Sequence, residues 1–161
     1  MSGLKFGFEP VYDKDSLVLI LGSFPSVKSR QTEFYYGNPQ NRFWKVLSSY
    51  LNVPLPVTAD GKREMLLKHR IAVWDIVTEC EIIGSSDASI KNFKVADIKS
   101  VLQNSCIRYI ILNGAKAFSV FEANYGGIGI PYVKLSSTSP ANTRFDIKEW
   151  FDALSIAFGK T

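Results

Sequence analysis

Two short stretches concentrate the side chains able to do chemistry. The first, residues 22–44, reads GSFPSVKSRQTEFYYGNPQNRFW. In it the adjacent rings of Tyr35 and Tyr36, a glycine, two prolines and the amides of Asn38 and Asn41 precede an amphipathic run. Together they would build a rigid wall of planar faces and amide donors. A planar heterocycle fits such a wall, because aromatic rings offer stacking and amides read a base edge without titrating. Asn41 has two uses open to it. Its carbonyl can align a water while its NH2 binds an acceptor, or it can cap the helix that begins at Arg42, which on spacing alone is the commoner use. The two tyrosines can face a ligand or pack on the core. The second stretch, SSTSPAN (residues 136–142), offers the hydroxyls of Ser137, Thr138 and Ser139 on a loop stiffened by Pro140. It reads either as a phosphate-contacting loop or as an ordinary Ser/Thr-rich turn.

Stepping outward from these loops, four apolar runs end where polar residues begin. They are residues 17–21, closed by Gly22; 71–74, closed by Asp75; 107–112, closed by Asn113 and Gly114; and 132–135, closed by Ser136. Continuous apolar runs of this length suit strands buried on both faces. Helical periodicity fills residues 42–51, 62–69, 95–103, 115–125 and 146–158, the last with Trp150, Phe151, Leu154 and Phe158 as one stripe. Strands alternating with helices predict a three-layer α/β/α sandwich around a central four-stranded parallel sheet. In such sheets ligands bind beyond the carboxyl ends of the strands. That rule selects residues 22–40, 75–93, 113–114 and 136–143, the first expected to be a long loop almost without helical pattern. Asp75 is placed to cap a strand or close a pocket floor.

The composition sets outer bounds. A chain of 161 residues with 46% hydrophobic and 21% charged residues predicts one globular domain spanning residues 1–161. The absence of a long apolar run or a signal segment predicts a soluble protein of a bacterial or archaeal cytoplasm, without a membrane partner. A net charge of +4 favours an anionic partner. Two cysteines, Cys80 and Cys106, are too few for a zinc ribbon or an iron–sulfur cluster and are expected as buried thiols. His69, the one histidine, reads as a charge partner at a helix end. The glycines of YGGIGIP follow a helix and precede a strand, the wrong order for a dinucleotide loop.

Three motifs in order, GSFPS, YYGNPQNRFW and LSSTSPAN, resemble the uracil-DNA glycosylase superfamily, and most nearly its hypoxanthine-DNA (deoxyinosine) glycosylase branch. The resemblance implies hydrolysis of the N-glycosidic bond of a deaminated base flipped out of DNA, by a monomer needing no metal or other cofactor. In commoner members the first motif resembles GxNPG or GxDP, whose polar residue places the attacking water. Phe24 stands there in this chain and cannot orient a water. The branch resemblance implies that catalysis moves to Asn41, that Tyr36 presents its ring to the flipped base and that Tyr35 forms the outer wall. Gly22, Ser23 and Phe24 would turn backbone amides toward the base edge, although Ser23 can equally serve only its own turn. Asn38 stands where the branch commonly has histidine. Ser137 falls where other branches stabilise the leaving base, while Ser26, Ser139, Pro140, Ala141 and Asn142 would contact DNA. Ala141 occupies the wedge position and is too small to fill a vacated base stack. Lys28 and Lys45 are the lysines nearest these motifs, and neither is an obvious nucleophile for strand cleavage. Two rival readings are a non-catalytic nucleic-acid-binding domain of the same fold and an enzyme acting on free nucleosides.

Overall fold

In the computed structural model, residues 3–82 and 91–160 are described. They run in the order β1 (Gly3–Phe6), β2 (Val18–Gly22), α1 (Val27–Thr32), α2 (Phe43–Leu51), α3 (Ala59–Lys68), β3 (Ile71–Asp75), β4 (Val77–Ile82), β5 (Lys91–Val95), α4 (Ile98–Gln103), β6 (Tyr109–Asn113), α5 (Ala115–Tyr125), β7 (Tyr132–Leu135) and α6 (Ile147–Ala157). The parallel sheet has four strands in the order β3-β2-β6-β7. All of β2 is buried, and its side chains alternate between two cores, as the pleat requires. Val18 and Ile20 join Phe43, Leu47, Leu66 and Trp150 from α2, α3 and α6. Leu19 and Leu21 join Ile98, Val101, Ala117 and Phe121 from α4 and α5. The result is the expected α/β/α sandwich.

Strand order decides where a ligand can sit. The chain leaves β2 for β3 on one side, then returns across it to β6 on the other, so the carboxyl ends of β2 and β6 diverge at a switch point. Gly22 and Asn113, the last residues of those two strands, flank that crevice.

Several local expectations need correction. The loop after β2 contains a helix, α1, whose first turn is capped by the Ser26 hydroxyl accepting from the Ser29 amide at 3.1 Å. A second sheet, β1-β4-β5, is antiparallel. Its last strand takes up Val95, so the helix expected from there begins at Ile98, behind the Asp97 cap. Residues 83–90, the middle of the 75–93 segment, lie outside the described residues. Cys80 is buried, but Cys106 is exposed. In α6, Trp150 and Leu154 enter the core with Ala153 and Ala157, while Phe151 and Phe158 flank it against Tyr50. His69 ends α3, where partial burial, and after it Lys68, hold its imidazole below the ordinary range. At neutral pH it is therefore not the cationic partner expected there. Among the described residues no helix is long and apolar enough to cross a membrane.

Candidate active site

A cavity of about 530 Å³ opens at the switch point, lined by residues 22–26 after β2, by Tyr36, Asn38 and Asn41, by Asp75 and Asn113 at strand ends, and by residues 139–141. Four loops selected from sequence thus meet in one place.

The floor is formed by the ends of β2 and β3, where Gly22 and Asp75 lie in register. Asp75 is 5% exposed. A β-carbon at Gly22 would stand 2.5 Å from the Asp75 Oδ1 and 2.9 Å from the Tyr36 hydroxyl oxygen. Glycine is required here because carboxylate and phenol converge on the space a side chain would fill. The turn leaving β2 is pinned as the chain passes Asp75, with the Ile76 amide donating to the Gly22 carbonyl at 2.8 Å and the Val77 amide to that of Ser23 at 3.0 Å. Phe24 is buried against the second core, with the Arg30 guanidinium 5.7 Å above its ring.

The aromatic wall divides its labour. Tyr36 has a left-handed backbone, φ 51°, unusual for a bulky residue. Its ring lies on Phe43 with centroids 4.0 Å apart and planes 18° from parallel. Phe43 in turn meets Trp44 and Trp150 edge to face, so the ring in the cavity wall is backed by core. Tyr35 also lines the cavity, but most of the residue belongs to the core. Its ring is buried edge-on against Phe8 and Phe34, and its hydroxyl donates to the Glu9 carbonyl at 2.7 Å. Burial, and after it the charge of Asp75, push that hydroxyl far above the usual tyrosine range, so it remains a neutral donor.

Asn41 is not the helix cap that its spacing suggested, because α2 starts at Phe43 with Arg42 as its N-cap and no side-chain cap bond. It lines the cavity, and its Oδ1 accepts from the Phe43 amide, the first of α2, at 2.9 Å. That bond fixes the carboxamide while leaving a second lone pair and two N–H donors. Asn38 also lines the cavity, but its Oδ1 accepts from the Gln40 amide and its carbonyl from the Asn41 amide, both at 2.9 Å. It builds the turn that presents Asn41.

The last loop is latched from below. Asn113 Nδ2 donates to Thr138 Oγ1, and the Thr138 amide donates back to Asn113 Oδ1, each at 3.0 Å and both buried. Thr138 is therefore a tether rather than a surface hydroxyl. Arg42 joins this loop to α2, its amide donating to the Thr138 carbonyl and its guanidinium to that of Ser139, each at 3.0 Å. Ser137 and Asn142 fold the loop. Ser137 Oγ accepts from the Ser139 amide at 3.1 Å, and Asn142 Nδ2 donates to the Ser137 carbonyl at 2.9 Å. Neither lines the cavity. Ser139, Pro140 and Ala141 do, with Pro140 and Ala141 exposed. Ser26 lines it too, its hydroxyl committed to α1.

Sequence reasoning left two roles open for Asp75, strand cap or pocket floor, and the structure puts it on the floor. It passed over Arg42, whose partners Thr138 and Ser139 lie 96 and 97 residues away along the chain and leave no local signal. Among the described residues lining the cavity, Asp75 is the one carboxylate, and no lysine reaches it.

The chain matches the family model of the uracil DNA glycosylase superfamily over residues 9–155. It is 36% identical over 144 residues to a protein of Methanosarcina acetivorans named hypoxanthine DNA glycosylase, covering 88% of this chain and 90% of that one. A protein of the same name from Methanosarcina barkeri is 32% identical over 143 residues, covering 87% and 89%. A solution NMR structure from Methanosarcina acetivorans, described as a candidate uracil DNA glycosylase, superposes with a TM-score of 0.85 at 31% identity, over 97% of this chain and 99% of that one.

Proposed function

The chain belongs to the uracil-DNA glycosylase superfamily, and from that premise we propose a monofunctional DNA glycosylase of base excision repair. It hydrolyses the N-glycosidic bond of a deaminated base, hypoxanthine in preference to uracil. The observation that carries this reading is the buried Asp75 carboxylate, which lines the cavity beside Tyr36 and converges with its hydroxyl on the space over Gly22. Deamination turns a ring nitrogen that accepts a hydrogen bond into one that donates. A carboxylate only accepts. It therefore welcomes the N–H of hypoxanthine or uracil and repels the lone pair that adenine or cytosine presents at the same position. The backed ring of Tyr36 gives the flipped base a surface to stack on. Asn41, its oxygen held by the Phe43 amide, aligns the attacking water or holds the base. Phe24 removes the polar group with which uracil-directed relatives would place that water. Among the described residues no lysine lines the cavity, which fits hydrolysis without an amine nucleophile. DNA containing the deaminated base is the partner, bound by a monomer.

The test is to incubate the protein with labelled duplexes bearing hypoxanthine, uracil, xanthine or adenine, and then cleave abasic sites with alkali. Hypoxanthine is released fastest and adenine is untouched. In Asp75→Asn, which presents a donor as well as an acceptor, the gap between hypoxanthine and adenine narrows. Binding without abasic product would mark a non-catalytic domain, and cleavage of free inosine alone would mark a nucleoside enzyme.

A further inference from the structure

A second cavity, of about 410 Å³, lies on the far side of the wall made by Tyr36, Asn38 and Asn41, which line both spaces. The structure assigns this groove to a nucleotide neighbouring the flipped one on the same strand, held unstacked. The inference rests on the glycosylase reading for the strand's identity.

Three observations carry it. The groove adjoins the base cavity across the shared wall of Tyr36, Asn38 and Asn41, so a strand that places one nucleotide in the first space can lay the next in the second. Its surface is apolar and open at Leu55 and Val57, which are 48% and 86% exposed. Single exposed aliphatic residues need no explanation, but two that line a cavity offer a floor for a base or sugar. Finally, the charge on the lining has one sign. Lys45 and Lys62 contribute ammonium groups, and no acidic residue lines the groove among those described. Lys62 holds its ammonium 5.3 Å from the Trp44 ring. Ion pairs among the described residues join Lys14 to Asp15 and Lys94 to Glu79, so neither groove lysine has a carboxylate partner. Burial lowers the Lys62 pKa, and a phosphate would restore what burial takes away. An apolar floor with an ammonium rim matches the two halves of a nucleotide, as single-strand-binding grooves do.

The test uses a single-stranded oligonucleotide with one deoxyinosine and 2-aminopurine beside it, on either side in separate strands. Wild-type protein raises 2-aminopurine fluorescence on one side only, reporting unstacking there. Val57→Asp, a change at an exposed position, abolishes that rise. Lys45→Gln and Lys62→Gln each reduce the slope of log affinity against log salt by about 0.7, the value for one phosphate contact on a single strand. Melting temperatures stay at the wild-type value. Unchanged slopes in both lysine variants, or an unchanged fluorescence rise in Val57→Asp, would overturn the groove assignment. Because these readouts follow binding, altered slopes without base release would sink the glycosylase reading alone. Base release with unaltered slopes would sink the groove alone.

Discussion

At the scale of single residues the cavity wall separates chemistry from support more sharply than the chain order does. Asn41→Ala removes both a fixed amide from the cavity and an acceptor for the first amide of α2. Base release should fall ~10²- to 10³-fold, as for other preorganised hydrogen-bonding groups, with a stability loss of about 1 kcal/mol from the lost hydrogen bond to the Phe43 amide. Asn41→Asp keeps the acceptor and loses the donors, so it should melt as wild type while remaining slow. Near-wild-type turnover in folded Asn41→Ala would remove this residue from the mechanism. The tyrosines should part in the same way, with Tyr36→Ala losing base release and Tyr35→Ala losing about 3–5 kcal/mol of stability, as large core aromatics do. Tyr35 also predicts a pH effect. Its folded value lies above the ordinary 10.0, so the folded chain keeps a proton that the unfolded chain gives up. Its contribution is complete below pH 10 and is lost as the pH rises further. Unfolding free energies from denaturant titrations above pH 10 should fall more steeply for wild type than for Tyr35→Phe, by up to about 1.4 kcal/mol per pH unit. Asn41 and Tyr36 were legible as motif residues. How deeply Tyr35 is buried was not, because its ring contacts to Phe8 and its hydroxyl bond to the Glu9 carbonyl join positions far apart in the chain.

At the scale of elements, the parallel strands were readable because burial on both faces makes them continuous apolar runs. The antiparallel sheet escaped because VTECEI and KNFKV contain no continuous apolar run, and the pair that joins them, Glu79 with Lys94, is far apart in the chain. Helix α1 escaped because its six residues, VKSRQT, bury only Ser29 and show no apolar stripe. The last loop was legible as a loop, but its anchoring was not, since the Asn113–Thr138 pair joins positions 25 apart. That pair gives the element-scale prediction. Thr138→Val preserves shape and the backbone donor but leaves the Asn113 NH2 without its hydroxyl acceptor in a buried site. Leaving one buried donor unsatisfied costs about 1–3 kcal/mol. Melting should register that loss, and affinity for DNA should weaken alike for damaged and undamaged strands, because the loop carries Ser139 and Pro140. A variant as stable as wild type would show that the latch contributes nothing.

At the scale of the whole molecule, the sandwich delivers a rigid cavity at its switch point but a modest device for opening DNA. Extruding a nucleotide requires unpairing and unstacking it, a few kcal/mol for an ordinary pair and least for a mismatched, damaged or unpaired base. Enzymes that push a large side chain into the gap recover part of that energy. Here the loop tip offers Pro140 and Ala141, exposed and small, while Asn142 is turned inward to the Ser137 carbonyl. Extrusion must then draw on the weakness of the substrate's own pairing. Base release under single-turnover conditions should accordingly run fastest from single strands, slower from hypoxanthine opposite thymine, and slowest opposite cytosine, its most stable partner. Ala141→Leu, which supplies a wedge on an already exposed position, should speed the duplex substrates and leave the single strand unchanged, compressing the series. Rates independent of the opposite base would mean that extrusion is driven from elsewhere on the protein. A leucine variant slowed on all three substrates would place Ala141 in the cavity's packing rather than at the DNA gap.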